Sequence, residues 1–423
     1  MIIGAFLRYV KNYQATTYIP LSNGKAFSGI VGPNGAGKST ILESINIFFN
    51  GGFHDGFINN NSVSNRGVPT ICILFLFSKE QAVKVFDETD WGSFSEKNKS
   101  IIENSEKIKS NLNRDLSSIS PSQKGYIKSL KMHLMFLSRD VDFDDTVIVS
   151  AGISVEKKGS PLKNIHFYSD GFTESSSDVD SSIDKLKSFF RYIYVPRELN
   201  ISAFDSLSSD SIYNLLDSDI NEYISRSLGG RRLEEINGQL RRLMEKMNRV
   251  LDGYAFKGRN SASREAYIKK ASLNNLLITE FFSSKLLHFY KDGNSWLPME
   301  LMSSGERQKA MVDIIYSLLY FNEEDINEKP SRRSGNKKEL NLKKADASHI
   351  ILAIDEPDSS LHISACFEQF SRLKKISDVS SQVLFTSHWY GYIPYLQDGT
   401  TSFIGTVSLG NEEHNSAIIL NSV

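Results

Sequence analysis

Apolar residues along this 423-residue chain follow two rhythms, and each predicts a different element. Near the start, the run Ile2-Ile3-Gly4-Ala5-Phe6-Leu7 and the run Ala26 to Val31 are strand-like, with Asn23-Gly24 as a turn signal between them, so the two are expected to pair. From Lys38 to Asn50 the period changes, and Ile41, Leu42, Ile45, Phe48 and Phe49 fall at helical spacing. Thr70 to Phe77 reads as a strand buried on both faces. Tyr126 to Ser138, Thr146 to Val155 and Asn164 to Ser169 read as further strands of a mixed sheet, and Arg191 to Val195, His349 to Ile354 and Gln382 to Phe385 as short apolar strands. Within Arg232 to Leu251, the positions Leu233, Ile236, Leu240, Leu243, Met247 and Val250 step by three and four, the seam of a short coiled coil or helical hairpin. Its length and the internal Gly238 suit a compact insertion rather than a long arm. Polar stretches separate these elements: a Gly, Asn and Ser connection over 51–69, surface helix and loop over 84–126, an acidic loop over 169–184 and an irregular segment over 322–348. No internal repeat recurs at a fixed period.

Chemistry enters directly behind the strand that ends at Val31. Gly32-Pro33-Asn34-Gly35-Ala36-Gly37-Lys38-Ser39 satisfies GxxxxGK[ST] and lies between a predicted strand and a predicted helix, the context its mechanism needs. The glycines let successive backbone amides turn inward toward phosphate oxygens, and the start of the helix adds its positive dipole end. Lys38 supplies a point charge for the β and γ phosphates, Ser39 a hydroxyl for Mg²⁺, and Thr40 follows at the helix start. The residues therefore predict binding of a nucleotide with Mg²⁺.

A second feature sits far downstream. Ile350-Ile351-Leu352-Ala353-Ile354 ends in Asp355 and Glu356, where the first carboxylate can hold a magnesium water and the second can polarise an attacking water. Glu356 is the candidate general base and Asp355 the candidate metal ligand. A helix is expected to start near Ser304 with Ser303 as its N-cap, offering free amides to an anion.

Leu301-Met302-Ser303-Ser304-Gly305-Glu306-Arg307-Gln308, the Asp355-Glu356 strand, Ser359-Ser360-Leu361-His362 and Ser387-His388, in that order behind a phosphate loop, resemble the signature, Walker B, D-loop and switch histidine of ABC-type ATPases. The resemblance covers roughly residues 1–77 and 290–395. It implies an α/β fold: a P-loop ABC-ATPase head, its mixed sheet flanked by helices, with a short helical coiled-coil-like insertion. Its implied parts are an N-terminal lobe over 1–204, an insertion over 205–285 and a C-terminal lobe over 286–423. It also implies a homodimer or higher oligomer that sandwiches ATP, in which Ser303, Gly305 and Glu306 of one subunit meet the γ-phosphate held by another and His388 senses it in cis. Ser39 and Ser303 are 264 residues apart, the signature reads SSGE, and Asp355-Glu356-Pro357-Asp358-Ser359-Ser360-Leu361-His362 and Tyr194-Val195-Pro196-Arg197 look like the soluble RecF, Rad50, SMC and OLD-like group rather than a transporter. Within that group the architecture is similar to ATPase subunits of two-gene antiphage systems such as PARIS and Septu, which implies a separate TOPRIM or HNH nuclease as effector. Two positions depart from the family pattern. Met302 stands for the usual leucine, and Arg197 or Glu198 occupies the place of the Q-loop glutamine. Arg8, Asn12 and Tyr13 are candidates for an adenine contact.

Composition narrows the remaining choices. Hydrophobic residues at 40% and charged residues at 23% exclude a wholly disordered chain, and the length predicts one large domain with an insertion or two to three smaller ones. The longest apolar run, Ile71 to Phe77, is too short to span a bilayer, and no export signal is read at the N-terminus, so a cytoplasmic protein is expected. Cys72 and Cys366 both sit among apolar neighbours and are expected to be buried thiols. A net charge of −1 means that nucleic-acid affinity must come from a local patch. Residues 226–270 hold twelve Lys or Arg against five acids, which makes this stretch the candidate DNA-facing surface in an alternative, RecF- or Rad50-like repair reading.

Overall fold

A computed structural model describes residues 1–59, 68–155, 162–174, 177–200, 288–291, 295–298, 301–324, 349–359, 361–396, 399–409 and 412–420. The chain divides into two compact units: Met1–Leu199 with Ser303–Asp313 and Ala347–Val423, and Asn200–Met302 with Ile314–Asp346. The seam over 232–251 and the basic stretch 226–270 lie outside the described residues, as does most of 322–348.

In chain order the first unit contributes β1 (Ile2–Arg8), β2 (Thr17–Pro20), β3 (Phe27–Val31), α1 (Lys38–Asn50), β4 (Thr70–Ser78), α2 (Lys79–Val85), α3 (Trp91–Lys97), α4 (Lys99–Ser110), α5 (Pro121–Asp140), β5 (Thr146–Ser154), β6 (Lys163–Tyr168), β7 (Gly171–Glu174), α6 (Ser177–Phe189) and β8 (Arg191–Val195). The described part of the second unit includes the antiparallel hairpin of β9 (His288–Lys291) and β10 (Ser295–Pro298). The chain then forms α7 (Ser304–Glu324), whose start belongs to the first unit, β11 (Ile350–Ile354), α8 (Ile363–Val379), β12 (Gln382–Ser387), β13 (Gly399–Leu409) and β14 (Glu412–Leu420).

Two six-stranded sheets organise the first unit. One, in the order β2-β1-β4-β5-β6-β7, is antiparallel throughout. The other, in the order β14-β13-β3-β12-β11-β8, is parallel except for the edge strand β14. Strands β3, β11 and β12 are buried at every position, as a parallel sheet covered on both faces requires. Helix α1 lies between the sheets, with Ile41, Leu42, Ile45 and Phe48 in one core with Ile73 and Phe75 of β4 and Ile351, Ala353 and Leu384 of β11 and β12. Helix α5 covers the outer face of the antiparallel sheet through Ile127, Leu130, Leu134 and Leu137. Helix α8 covers the parallel sheet, where the Phe370 and Phe385 rings are 5.2 Å apart.

Three sequence expectations are corrected. The Ala26 to Val31 strand does not pair with Ile2 to Leu7: the turn at Gly24 (φ 82°) carries the chain out of the first sheet, and β3 lies between β12 and β13 in the second. Tyr126 to Ser138 is not a strand but part of α5. Tyr126, Ile127, Leu130, His133, Leu134 and Leu137 are buried at helical spacing, and Pro121 opens the helix where a missing amide costs nothing. The acidic stretch 169–184 is not one loop. Ser169 and Asp170 turn β6 into β7, and most of the rest is α6, which buries Ile183 and Leu186. Cys72 and Cys366 are free and buried as expected.

Candidate nucleotide site

The parallel register places the carboxyl ends of β3, β12, β11 and β8 along one edge, since Val31 pairs with Ser387 and Ile354 with both Phe385 and Val195. Ligands of open parallel sheets bind at this edge, because the loops there converge. Here the segments after the four strands are the phosphate loop, His388, Asp355-Glu356 and Pro196-Arg197.

The phosphate loop is held open by its own geometry. Gly37 caps α1 with φ 91°, and a Cβ there would meet the Tyr13 ring at 3.0–3.2 Å. A Cβ on Gly32 would sit 2.1 Å from the Ile404 carbonyl oxygen. Both positions therefore require glycine. The Asn12 amide donates to the Gly35 carbonyl at 2.7 Å and the Tyr13 hydroxyl to the Gly37 carbonyl at 3.3 Å. Tyr13 is fully buried, so these two candidate adenine contacts are engaged in bracing the loop. Pro33, Asn34 and Gly35 are exposed, while Ala36 and Thr40 are buried.

Lys38 is buried, and its ammonium donates to the Gly32 and Pro33 carbonyls, both at 3.0 Å, and lies 3.1 Å from His388 Nε2. Burial holds this ammonium below the usual lysine range, opposed by the nearby carboxylates of Glu356, Asp355 and Asp358. His388 Nε2 is also 2.9 Å from Glu356 Oε1. A single ring nitrogen can accept from the ammonium or donate to the carboxylate, not both, so the imidazole can report which partner is present. The other carboxylate oxygen of Glu356 meets Arg197 at 3.0 Å.

Asp355 lies beneath this chain of contacts. Its Oδ1 accepts from Ser39 at 2.9 Å and from Thr386 at 2.5 Å. Burial raises its carboxyl above the ordinary range, against the two hydroxyl bonds. Thr386 Oγ1 accepts in turn from the Glu356 backbone amide at 2.9 Å, bracing a residue whose φ of 49° is left-handed. Asp358 accepts from Ser387 at 2.7 Å, and burial raises its carboxyl as well. Ser303 and Glu306 cap the start of α7 reciprocally: the Glu306 amide donates to Ser303 Oγ at 3.2 Å and the Ser303 amide to Glu306 Oε2 at 2.8 Å. Ser303 is exposed and Gly305 buried.

A family model for an AAA ATPase domain, AAA_15, matches residues 9–389. The chain belongs to this family. The match of this AAA ATPase domain runs from the loop after β1 through Trp389, and so takes in the phosphate loop, both acids and His388. No curated protein matches the chain. Solved structures similar to it include an Smc head bound to the C-winged helix domain of ScpA, with 13% identity, 99% of this chain and 98% of that chain covered and a TM-score of 0.42. The SMC head domain from Thermotoga maritima is 12% identical, with 99% of each chain covered and a TM-score of 0.37. An Smc head domain with an extended coiled coil, bound to the C-terminal domain of ScpA derived from Pyrococcus furiosus, is 13% identical, with 99% and 96% covered and a TM-score of 0.39.

For this AAA ATPase domain the donor set suits a nucleotide carrying Mg²⁺. Ser39 and Asp355 present a hydroxyl and a carboxylate side by side, and a small hard cation takes one or two such oxygens and completes its shell with phosphates and water. Among the described residues no three His, Cys, Asp or Glu side chains form an all-protein cage, and no helix is long and apolar enough to cross a membrane. The sequence pointed to Lys38, Ser39, Asp355, Glu356 and His388, and the fold brings these five together. Sequence reasoning missed Thr386 and Gln308. Gln308 is buried and donates through Nε2 to the Asp355 carbonyl at 2.7 Å, tying α7 to the end of β11. The available signal for Thr386 was that β12 turns from apolar to polar at Thr386-Ser387-His388.

Proposed function

We propose that this chain binds ATP with Mg²⁺, hydrolyses it to ADP and phosphate as an ATP-sandwiched homodimer or higher oligomer, and thereby governs a separate nuclease effector of the TOPRIM or HNH kind in antiphage defence. The reading of the chemistry is carried by one observation: Lys38, His388 and Glu356 form a continuous chain of contacts beside the Ser39–Asp355 pair, at the carboxyl edge of a parallel sheet. Lys38 draws the phosphate tail in against the loop amides of Gly35, Ala36 and Gly37. Ser39 and Asp355 are the residues that would hold Mg²⁺, which when bound would neutralise phosphate charge. Glu356 takes the proton of the attacking water, and His388, within reach of both Lys38 and Glu356, orients that carboxylate. Ser303 is exposed at the start of α7, a helix end whose dipole favours an anion such as a partner's γ-phosphate, which supports the sandwich. The resemblance to antiphage subunits supports the effector role.

The test is phosphate release together with size-exclusion chromatography, with and without Mg-ATP, on the wild type, Glu356→Gln and Lys38→Ala. Glu356→Gln is expected to bind ATP, turn over at least ~100-fold more slowly and elute as a larger particle. Lys38→Ala is expected to lose ATP binding. Wild-type-like turnover by Glu356→Gln removes the general base from the account, and an unchanged elution volume with ATP removes the sandwich.

A further inference from the structure

Strand β8 stops where proline makes it stop. Val195 still accepts a ladder bond from the Asp355 amide at 3.0 Å, but Pro196 has no amide to continue the ladder, so the chain leaves the sheet as a short strap over 196–199. The backbone of that strap hangs from the first turns of α7. Ser304 Oγ donates to the Arg197 carbonyl at 3.1 Å and accepts from the Leu199 amide at 3.0 Å. Arg307 Nε donates to the Leu199 carbonyl at 2.7 Å, and Gln308 Nε2 lies 3.4 Å from the Pro196 carbonyl. The Arg197 side chain reaches from the strap toward the reaction centre, 3.0 Å from Glu356 Oε2.

With His388 on Oε1 and Arg197 on Oε2, each oxygen of Glu356 already has a protein partner. A general base needs an oxygen turned toward the water it deprotonates. The Glu356 side chain is 10% exposed and the Arg197 side chain 55% exposed, so the guanidinium approaches from the solvent side and can withdraw without opening the core. A half-exposed ion pair of this kind is weak enough to break in normal working.

We propose that Arg197 is a restraining residue for Glu356, and that the strap over 196–199 couples this restraint to the start of α7. Displacement of the Ser303-Ser304-Gly305 segment, when it engages a nucleotide held by a second copy of the chain, pulls the strap and withdraws Arg197, freeing an oxygen of Glu356 for water. Hydrolysis is thereby kept slow in the lone subunit. The proposal rests on the reading of Glu356 as the base in ATP hydrolysis, and it adds a device that makes the base wait for assembly.

The experiment is steady-state phosphate release by the full chain, over a range of ATP and of protein concentrations, for wild type, Arg197→Ala, Arg197→Lys, Ser304→Ala and Glu356→Gln. In dilute protein, Arg197→Ala is expected to raise kcat roughly two- to fivefold with KM unchanged, and to flatten the rise of kcat with protein concentration. Arg197→Lys, which keeps a cation for the single contact, is expected to fall back toward wild type. Ser304→Ala cuts two strap bonds without touching Glu356 or the Arg197 side chain and is expected to shift kcat in the same direction as Arg197→Ala. A thermal melt accompanies each variant, and Arg197→Gln replaces Arg197→Ala if the latter melts early. A kcat for Arg197→Ala equal to or below wild type, or a Ser304→Ala effect in the opposite direction, overturns the strap alone. Wild-type-like turnover by Glu356→Gln overturns the reading of the base and the strap together.

Discussion

Replacing Thr386 by Val removes one oxygen and keeps the side-chain shape, in a position with no exposed surface. Two bonds go with that oxygen: the one it accepts from the Glu356 amide at 2.9 Å and the one it donates to Asp355 at 2.5 Å. The amide is buried, and leaving it unpaired costs about 1–3 kcal/mol; the bond to the carboxylate is of similar worth, about 1.5–3 kcal/mol, when nothing replaces it. Ser39 still donates to the same Asp355 oxygen, so only part of the second term is lost. A net loss of about 2–4 kcal/mol follows, and at the ~2–4 °C per kcal/mol of a large domain the melting temperature should fall by roughly 4–16 °C. Thr386→Ser keeps the hydroxyl and gives up one methyl, for about 1 kcal/mol. The functional consequence is larger than the thermal one, because Glu356 sits at φ 49°, a left-handed conformation that a non-glycine residue holds only under restraint. Released from Thr386, the carboxylate loses its aim, and kcat should drop by about tenfold or more while KM for ATP stays within a factor of ~2. Differential scanning fluorimetry and a phosphate-release assay on wild type, Thr386→Val and Thr386→Ser measure both effects. If the valine variant melts with the wild type and turns over at its rate, Thr386 is not the brace of this site.

Asp355→Asn should make the nucleotide-free protein more stable at pH 7 while abolishing turnover. Burial raises the Asp355 carboxyl above its ordinary pKa, so the folded chain binds that proton more tightly than the unfolded chain does. Stability from this group is therefore intact below the ordinary carboxylate range and is lost as pH rises through the raised value; asparagine never ionises, so its advantage should shrink on acidification, and melts between pH 4 and 8 check the trend. Gly37→Ala places a Cβ against the Tyr13 ring at φ 91° and should weaken ATP binding by about tenfold, the equivalent of ~1–2 kcal/mol of left-handed strain; isothermal titration calorimetry measures it, and an unchanged affinity contradicts the requirement for glycine.

Residues that act through local spacing were legible before any fold was known. The phosphate loop is a set of backbone conformations that only glycine adopts cheaply, followed by a lysine and a serine at fixed offsets, and neighbours in sequence are enough to write it. Asp355 and Glu356 were legible as acids ending an apolar strand, in company with the other elements of the ABC-ATPase resemblance, and His388 was legible only as what that resemblance implies. The expectations that failed were those about partners. Ala26 to Val31 has the composition of a strand wherever it pairs, and only the competition among whole sheets sends it to β12 and β13. Tyr126 to Ser138 has apolar spacing that a short window reads as a strand, and it becomes a helix because its buried side has to lie along an entire sheet face. The brace at Thr386 and the grip of Arg197 on Glu356 exist because β12 and β8 flank β11 on either side, so their ends deliver side chains to the same two acids. Sequence distances of 30 residues for the first, and of far more for the second, carry no sign of that adjacency, which only strand order creates.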